Sequence, residues 1–287
     1  MSIRTLLLIL AVASFGSCIL QAKGIVSEDQ IIRRALGGRF SSEQQSLISE
    51  IIEKINKKYP VHINPDGQKT VKKKLLSVVK ILGVSIAASI LYGWAHDMVT
   101  SHICVEYFTV GHRRMHSSNN PAIHALIWGV LATWWVGAGL GTGLALASQL
   151  GDGDTTIEIS EIKKELGILL GLMGVGSLCA GSIGYVSARQ GIQRLPEFFK
   201  AYWDGEKENG ARERTEGLEN RFLADGAAHN TAYAIGAVGG LSLIGYVLWK
   251  RVQKSKMLKK RFMAFVQLGA CSSSNELENL NRRLNMD

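Results

Sequence analysis

Hydrophobic and polar positions along this chain separate into blocks rather than alternating. Four long runs are almost uncharged: Leu75–Ala95, Ala122–Leu150, Gly167–Ala188 and Thr231–Trp249. Each reaches the roughly 20 residues that a helix needs to cross a hydrocarbon layer about 30 Å thick. Buried core helices seldom stay this apolar for so long, so the pattern predicts an all-α integral membrane bundle of four transmembrane helices. Lys80 is the one charge inside these runs, close enough to the start of the first for its stem to carry the ammonium back to the interface.

Outside the runs the pattern changes period. Leu47, Ile48, Ile51, Ile52 and Ile55 recur on one helical face, and Ser27 with Gln30 and Ser42 with Gln45 fit helix-start capping boxes. The reading is a small soluble helical region over residues 23–70, its apolar stripe docking on the membrane domain, on a partner or on the neighbouring helix at residues 28–36, with docking within the chain preferred. It ends in the turn-rich linker "YPVHINPDGQKT". Residues 1–22 have one arginine, a leucine run and a small-residue end, the signature of a signal peptide or a membrane anchor. Residues 71–250 form the four-span domain. Residues 251–287 continue as a basic amphipathic helix, and "SSSNELENLNRRLNMD" reads as a frayed tail. Between spans three and four, "LPEFFKAYW" has the mixture of an interfacial helix, and the polar "DGEKENGARERTEGLEN" after it reads as mobile.

Charge adds orientation. Lys69, Lys72, Lys73 and Lys74 precede the first span, and Lys250, Arg251, Lys254, Lys256, Lys259, Lys260 and Arg261 follow the fourth. Cytoplasmic flanks are enriched in such residues, so both ends are expected in the cytoplasm, in a bacterial inner membrane. Arg189, Arg194, Lys200, Lys207, Arg212, Arg214 and Arg221, in the loop that would then face outward, pull the other way. The net charge of +9 follows from these flanks. It suits anionic lipid head groups in the bilayer and gives no reason to expect a nucleic acid.

Glycines suggest how the spans meet. Gly137, Gly139, Gly141 and Gly143 form two interleaved pairs at small-xxx-small spacing, joined by Gly167 with Gly171 and Gly236 with Gly240. Such positions let helix backbones approach closely, within a bundle or between copies in a homo-oligomer. No strand precedes "GAGLGTGLA" and no P-loop lysine follows, so a nucleotide loop is excluded. The cysteines Cys18, Cys104, Cys179 and Cys271 form no CxxC pair, so neither a zinc ribbon nor a disulfide framework is expected.

The candidate chemistry is "HDMVTSHICVEYFTVGH", the segment read as a polar cap outside the first span. Five of the seven histidines, His96, His102, His112, His116 and His124, lie between positions 96 and 124 together with Asp97 and Glu106. His229 opens the fourth span four residues after Asp225. Imidazoles and carboxylates in such company bind divalent metals or relay protons. The metal set is His96, Asp97, Glu106, His112 and His229, for a zinc-like ion, with His102, His116 and Asp225 as supporting or alternative groups. Against it stands the reading that these side chains only cap helix ends. "VEYFTVG" has the content of a strand or interfacial segment, and Glu106 among Val105, Tyr107 and Phe108 is the group most in need of a partner.

The segments "LYGWAHDMVTSHICVEYFTVGH", "IWGVLATWWVGAGLG" and "DGAAHNTAYAIGAVGG" resemble a family of uncharacterised bacterial multi-spanning membrane proteins, mainly over residues 91–143. The resemblance implies the membrane architecture and the same His, Asp and Glu positions, and supplies no reaction. The function expected is therefore a multi-pass membrane protein with a polar cap. A membrane-embedded metal-binding protein or metal-dependent enzyme is the main alternative, and a small-solute transporter is a further one.

Overall fold

A computed structural model describes residues 41–60, 71–149, 155–209, 211–271 and 273–286. The signal or anchor at 1–22, Cys18, the Ser27–Gln30 box, the helix at 28–36 and the linker at 61–70 lie outside the described residues. Those residues form helices and no strand: α1 Ser42–Lys58, α2 Val71–Ile103, α3 Glu106–Thr109, α4 Pro121–Leu131, α5 Trp134–Gln149, α6 Lys163–Arg189, α7 Glu197–Gly205, α8 Glu216–Ala270 and α9 Ser274–Met286. Short 3-10 turns stand at Ile159–Glu161 and Glu206–Asn209. The described residues divide into two compact units, one within Leu76–Ala147 and Glu158–Val247, the other made of those before Leu76, those within Ser148–Ile157 and those from Leu248 onward.

Among the described residues, four segments are long and apolar enough to cross a membrane: Lys74–Ile103, Pro121–Gln149, Lys163–Arg189 and Glu216–Leu268. Their outward faces carry Leu91, Leu126, Val175, Ile183, Val238 and Leu241, each more than half exposed. Apolar surface on that scale is rare on a protein surrounded by water and suits lipid. The second segment is broken at Ala132 and Thr133, where the Thr133 hydroxyl donates to the Gly129 carbonyl. The fourth is part of a 55-residue helix, about 80 Å long at 1.5 Å per residue, so the amphipathic basic stretch is its continuation beyond the apolar part.

Close packing within the larger unit centres on Gly129, where a Cβ would meet the Trp94 backbone N and Cα at 2.6 Å. A Cβ at Gly137 would sit 2.7 Å from the Ser85 carbonyl oxygen, and one at Gly141 2.9 Å from Ser85 Cβ. Thus α2 lies directly against α4 and α5. The expected glycines divide within the unit: a Cβ at Gly139, Gly167 or Gly171 would meet nothing within 4 Å among the described residues, while Gly143, Gly236 and Gly240 approach only the side chains of Ile244, Met173 and Leu140. Spacing identifies a helical face but not which face meets a neighbour.

In the smaller unit the isoleucine stripe finds an unexpected partner. Ile48, Ile51 and Ile55, fully buried, pack on Leu277 and Leu280 of α9 and on Ala264, Phe265 and Leu268 near the end of α8. The tail expected to fray is therefore helical. Leu277, Leu280 and Leu284 make its own narrow stripe, and a reciprocal cap between Ser273 and Glu276 starts it. Lys54 Nζ donates to Asn281 Oδ1 at 2.8 Å and Lys58 Nζ to the Leu284 carbonyl at 2.8 Å along the seam. The box that opens α1 is one residue earlier than expected, Ser41 with Gln44.

Candidate metal centre

In the larger unit, α2 does not stop where the uncharged run ends. Its hydrogen-bonded ladder continues through His96 and Asp97 to Ile103, so the proposed outer cap begins as the last two turns of a membrane-length helix. Within Val105–Gly111, expected as strand or interface, Glu106–Thr109 folds as the single turn α3. That turn delivers Tyr107 and Phe108 to the side of His229, which enters from α8.

His96, Asp97 and His229 meet there. His96 Nδ1 and His229 Nε2 each lie 3.2 Å from Asp97 Oδ1, and all three side chains are at least nine-tenths buried. Their ligand atoms lie within 4.8 Å of one another. The His229 ring is stacked on Tyr107 with centroids 4.5 Å apart and meets His96 edge-on at 4.4 Å. His96 Nε2 pairs with Ser177 Oγ of α6 at 2.7 Å. Burial holds the Tyr107 phenol above its ordinary pKa, with Tyr233, Asp225 and Asp97 adding to it, so Tyr107 serves as a neutral wall.

Hydrogen-bond direction decides what this arrangement can hold. His229 Nδ1 is 2.9 Å from the Asp225 backbone carbonyl. A carbonyl only accepts, so Nδ1 carries the proton and, in the neutral ring, Nε2 presents a lone pair to the Asp97 carboxylate. Two lone-pair atoms at 3.2 Å need either a shared proton, carried by the imidazole or by the carboxyl, or a metal ion between them. The separation also matches the edge of a tetrahedron, about 3.3 Å, around an ion with ligand bonds of about 2.0–2.1 Å. An imidazole whose other N–H is held by a backbone carbonyl is the arrangement that orients metal-ligating histidines.

Asp225 is one turn from His229 and 1% exposed, and neither of its carboxylate oxygens has a partner among the described residues. Two further buried hydroxyls without partners, Ser85 and Tyr92, line a cavity of about 70 Å³ that reaches His96, Asp97 and His229. Ser85, Ser89, Tyr92 and His96 share one face of α2. The cavity is far below the roughly 300 Å³ at which small-molecule pockets begin. It suits a few waters or an ion, each water needing about 10–15 Å³.

The remaining predicted residues go elsewhere. Glu106, also 1% exposed, is held by Arg212, Nε to Oε1 at 2.5 Å and Nη2 to Oε2 at 2.6 Å, with the Cys104 thiol at 3.5 Å. The hydrogen bonds to Glu106 raise the Arg212 pKa further. Arg212 belongs to the polar stretch read as mobile, which is tied down again where Arg214 pairs with Glu219 and Asp204. His112 Nδ1 meets the Tyr107 carbonyl at 2.8 Å and its ring meets Trp128 at 4.8 Å. His102 Nδ1 meets the Met98 carbonyl, His116 Nδ1 accepts from Ser118 N–H, and His124 Nε2 meets the Ser118 carbonyl. Three of the five expected ligands converge, while Glu106 and His112 do not join them. Sequence reasoning passed over Ser177 and Arg212, because a serine in an apolar run and an arginine in a charged one carry no local signal.

No protein-family model matches the chain, and neither a curated protein nor a solved structure matches it.

Proposed function

We propose that this is a multi-pass integral membrane protein that binds one zinc-like divalent ion between His96 Nδ1, Asp97 Oδ1 and His229 Nε2. The observation that carries the reading is His229, whose Nδ1 is taken by the Asp225 carbonyl while its Nε2 faces a carboxylate oxygen at 3.2 Å in a buried site. Three protein ligands leave a fourth position open, the arrangement of zinc sites that keep a water or substrate. The water-sized cavity beside it can supply that water. Ser177 fixes the His96 ring and the Asp225 carbonyl fixes the His229 ring. The basic flanks of the first and fourth spans support cytoplasmic ends, in a bacterial inner membrane. Membership of the uncharacterised family resembled over residues 91–143 belongs to the same proposal.

Metal analysis of protein purified in detergent, without chelator, tests the site. Wild type carries about one equivalent after zinc loading and desalting; Asp97→Asn and His229→Ala lose it, while Glu106→Gln keeps it. Wild type that stays metal-free after loading would overturn the metal reading and leave an imidazolium–carboxylate pair. A reporter fused after Asp287, active only in the cytoplasm, checks the orientation.

A further inference from the structure

A second locus lies on the larger unit where α6 ends. The helix stops in a Schellman turn: Ile192 N–H reaches the Ser187 carbonyl at 2.9 Å and Gly191 N–H reaches that of Ala188 at 2.9 Å. Gly191 has φ +73°, the left-handed conformation that glycine adopts without strain. The turn throws Ile192 outward, 72% exposed, and folds Arg194 back so that its Nε donates to the Gly191 carbonyl at 3.3 Å.

Arg194 then overhangs a groove of about 370 Å³. Phe222, Leu223, Gly226 and Ala227 of α8 line the groove, and Gln193 and Asn230 complete the lining with Arg194. This volume falls within the range of small-ligand sites. Among the described residues no partner accepts from the two Nη groups of Arg194, so its planar fork is open to an anion with paired oxygens. Immediately after it, α7 holds Phe198 76% and Tyr202 50% exposed. Apolar side chains this exposed, next to the end of a membrane-length helix, mark the depth at which head group gives way to hydrocarbon.

We propose that this groove seats one anionic phospholipid, its phosphate on Arg194 with Gln193 and Asn230 and its glycerol and upper chain over Phe222, Leu223 and Ala227. A free phosphate would satisfy the guanidinium and leave the apolar floor uncovered, whereas a lipid occupies both. The site is separate from the histidine cluster and stands whether or not that cluster binds metal.

Native mass spectrometry of the full chain, delipidated in detergent and titrated with phosphatidylglycerol, phosphatidylcholine or glycerol phosphate, tests it. Wild type is expected to take up one phosphatidylglycerol at concentrations where the other two leave it bare. Arg194→Gln should bind phosphatidylglycerol about tenfold more weakly, the loss of one charge-assisted paired contact. Asn230→Leu serves as a second variant should Arg194→Gln fold poorly, and it should also weaken binding. Equal binding of phosphatidylglycerol by wild type and both variants would overturn the proposal. Equal uptake of phosphatidylcholine would remove the anionic selectivity on which it rests, and equal uptake of glycerol phosphate would replace the membrane source with a soluble one.

Discussion

Removing Arg212 should cost far more than removing Glu106, although the two form one ion pair. The side chain of Glu106 is 2% exposed and that of Arg212 is 54% exposed. In Arg212→Met the aliphatic stem still packs, but the buried carboxylate keeps, among the described residues, only the Cys104 thiol at 3.5 Å as a hydrogen-bond partner. Stranding one buried partner of a pair typically costs about 3–5 kcal/mol. In Glu106→Gln the amide oxygen still accepts one of the two bonds and the freed N–H of the half-exposed guanidinium turns to the solvent it already meets, so about 1 kcal/mol is lost. At roughly 2–4 °C per kcal/mol for a chain near this size, Arg212→Met should lower the unfolding midpoint in detergent by about 10 °C, and Glu106→Gln by only a few degrees. Combining Arg212→Met with Glu106→Leu should restore most of the loss, because no charge then remains buried. A Glu106→Gln variant as damaged as Arg212→Met, or a double variant worse than either, would refute the reasoning.

Gly129→Ala should destabilise clearly in the same assay, since its Cβ would strike the Trp94 backbone at 2.6 Å, whereas Gly139→Ala, with nothing within 4 Å, should be neutral or gain up to about 1 kcal/mol of helix propensity. Leu277→Ala, at a fully buried position of the α1–α9 seam, should cost about 2–5 kcal/mol and expose α1 to protease while leaving bound metal unchanged. Burial, with Glu106 beside it, pushes the Cys104 thiol up from its ordinary pKa, so alkylation at pH 8 should spare it in the folded protein and reach it on unfolding. An acid whose pKa is raised by folding makes the native state bind the proton more tightly. Stability therefore falls as pH climbs past about 8.5, the pKa of the unfolded thiol, and Cys104→Ala should flatten that fall.

Local pattern determined the membrane-length helices, because long uncharged runs obey a length rule that needs no knowledge of neighbours. It also marked His96, Asp97 and His229, since few residue types can bear such chemistry and these lie at the edges of apolar runs. Which groups meet was decided by tertiary packing. Asp97 and His229 are 132 positions apart, and the helix faces that α2 and α8 turn inward bring them together. Glu106 and Arg212 are 106 apart, and a charged stretch that looks solvated on its own becomes ordered because a buried carboxylate needs it. The same holds for α9: its leucine stripe is too short to stabilise a helix in water, and the isoleucines of α1 give it a surface to bury. Helical periodicity is a property of neighbours in sequence, whereas the pairing of charges, rings and glycine contacts is a property of neighbours in space.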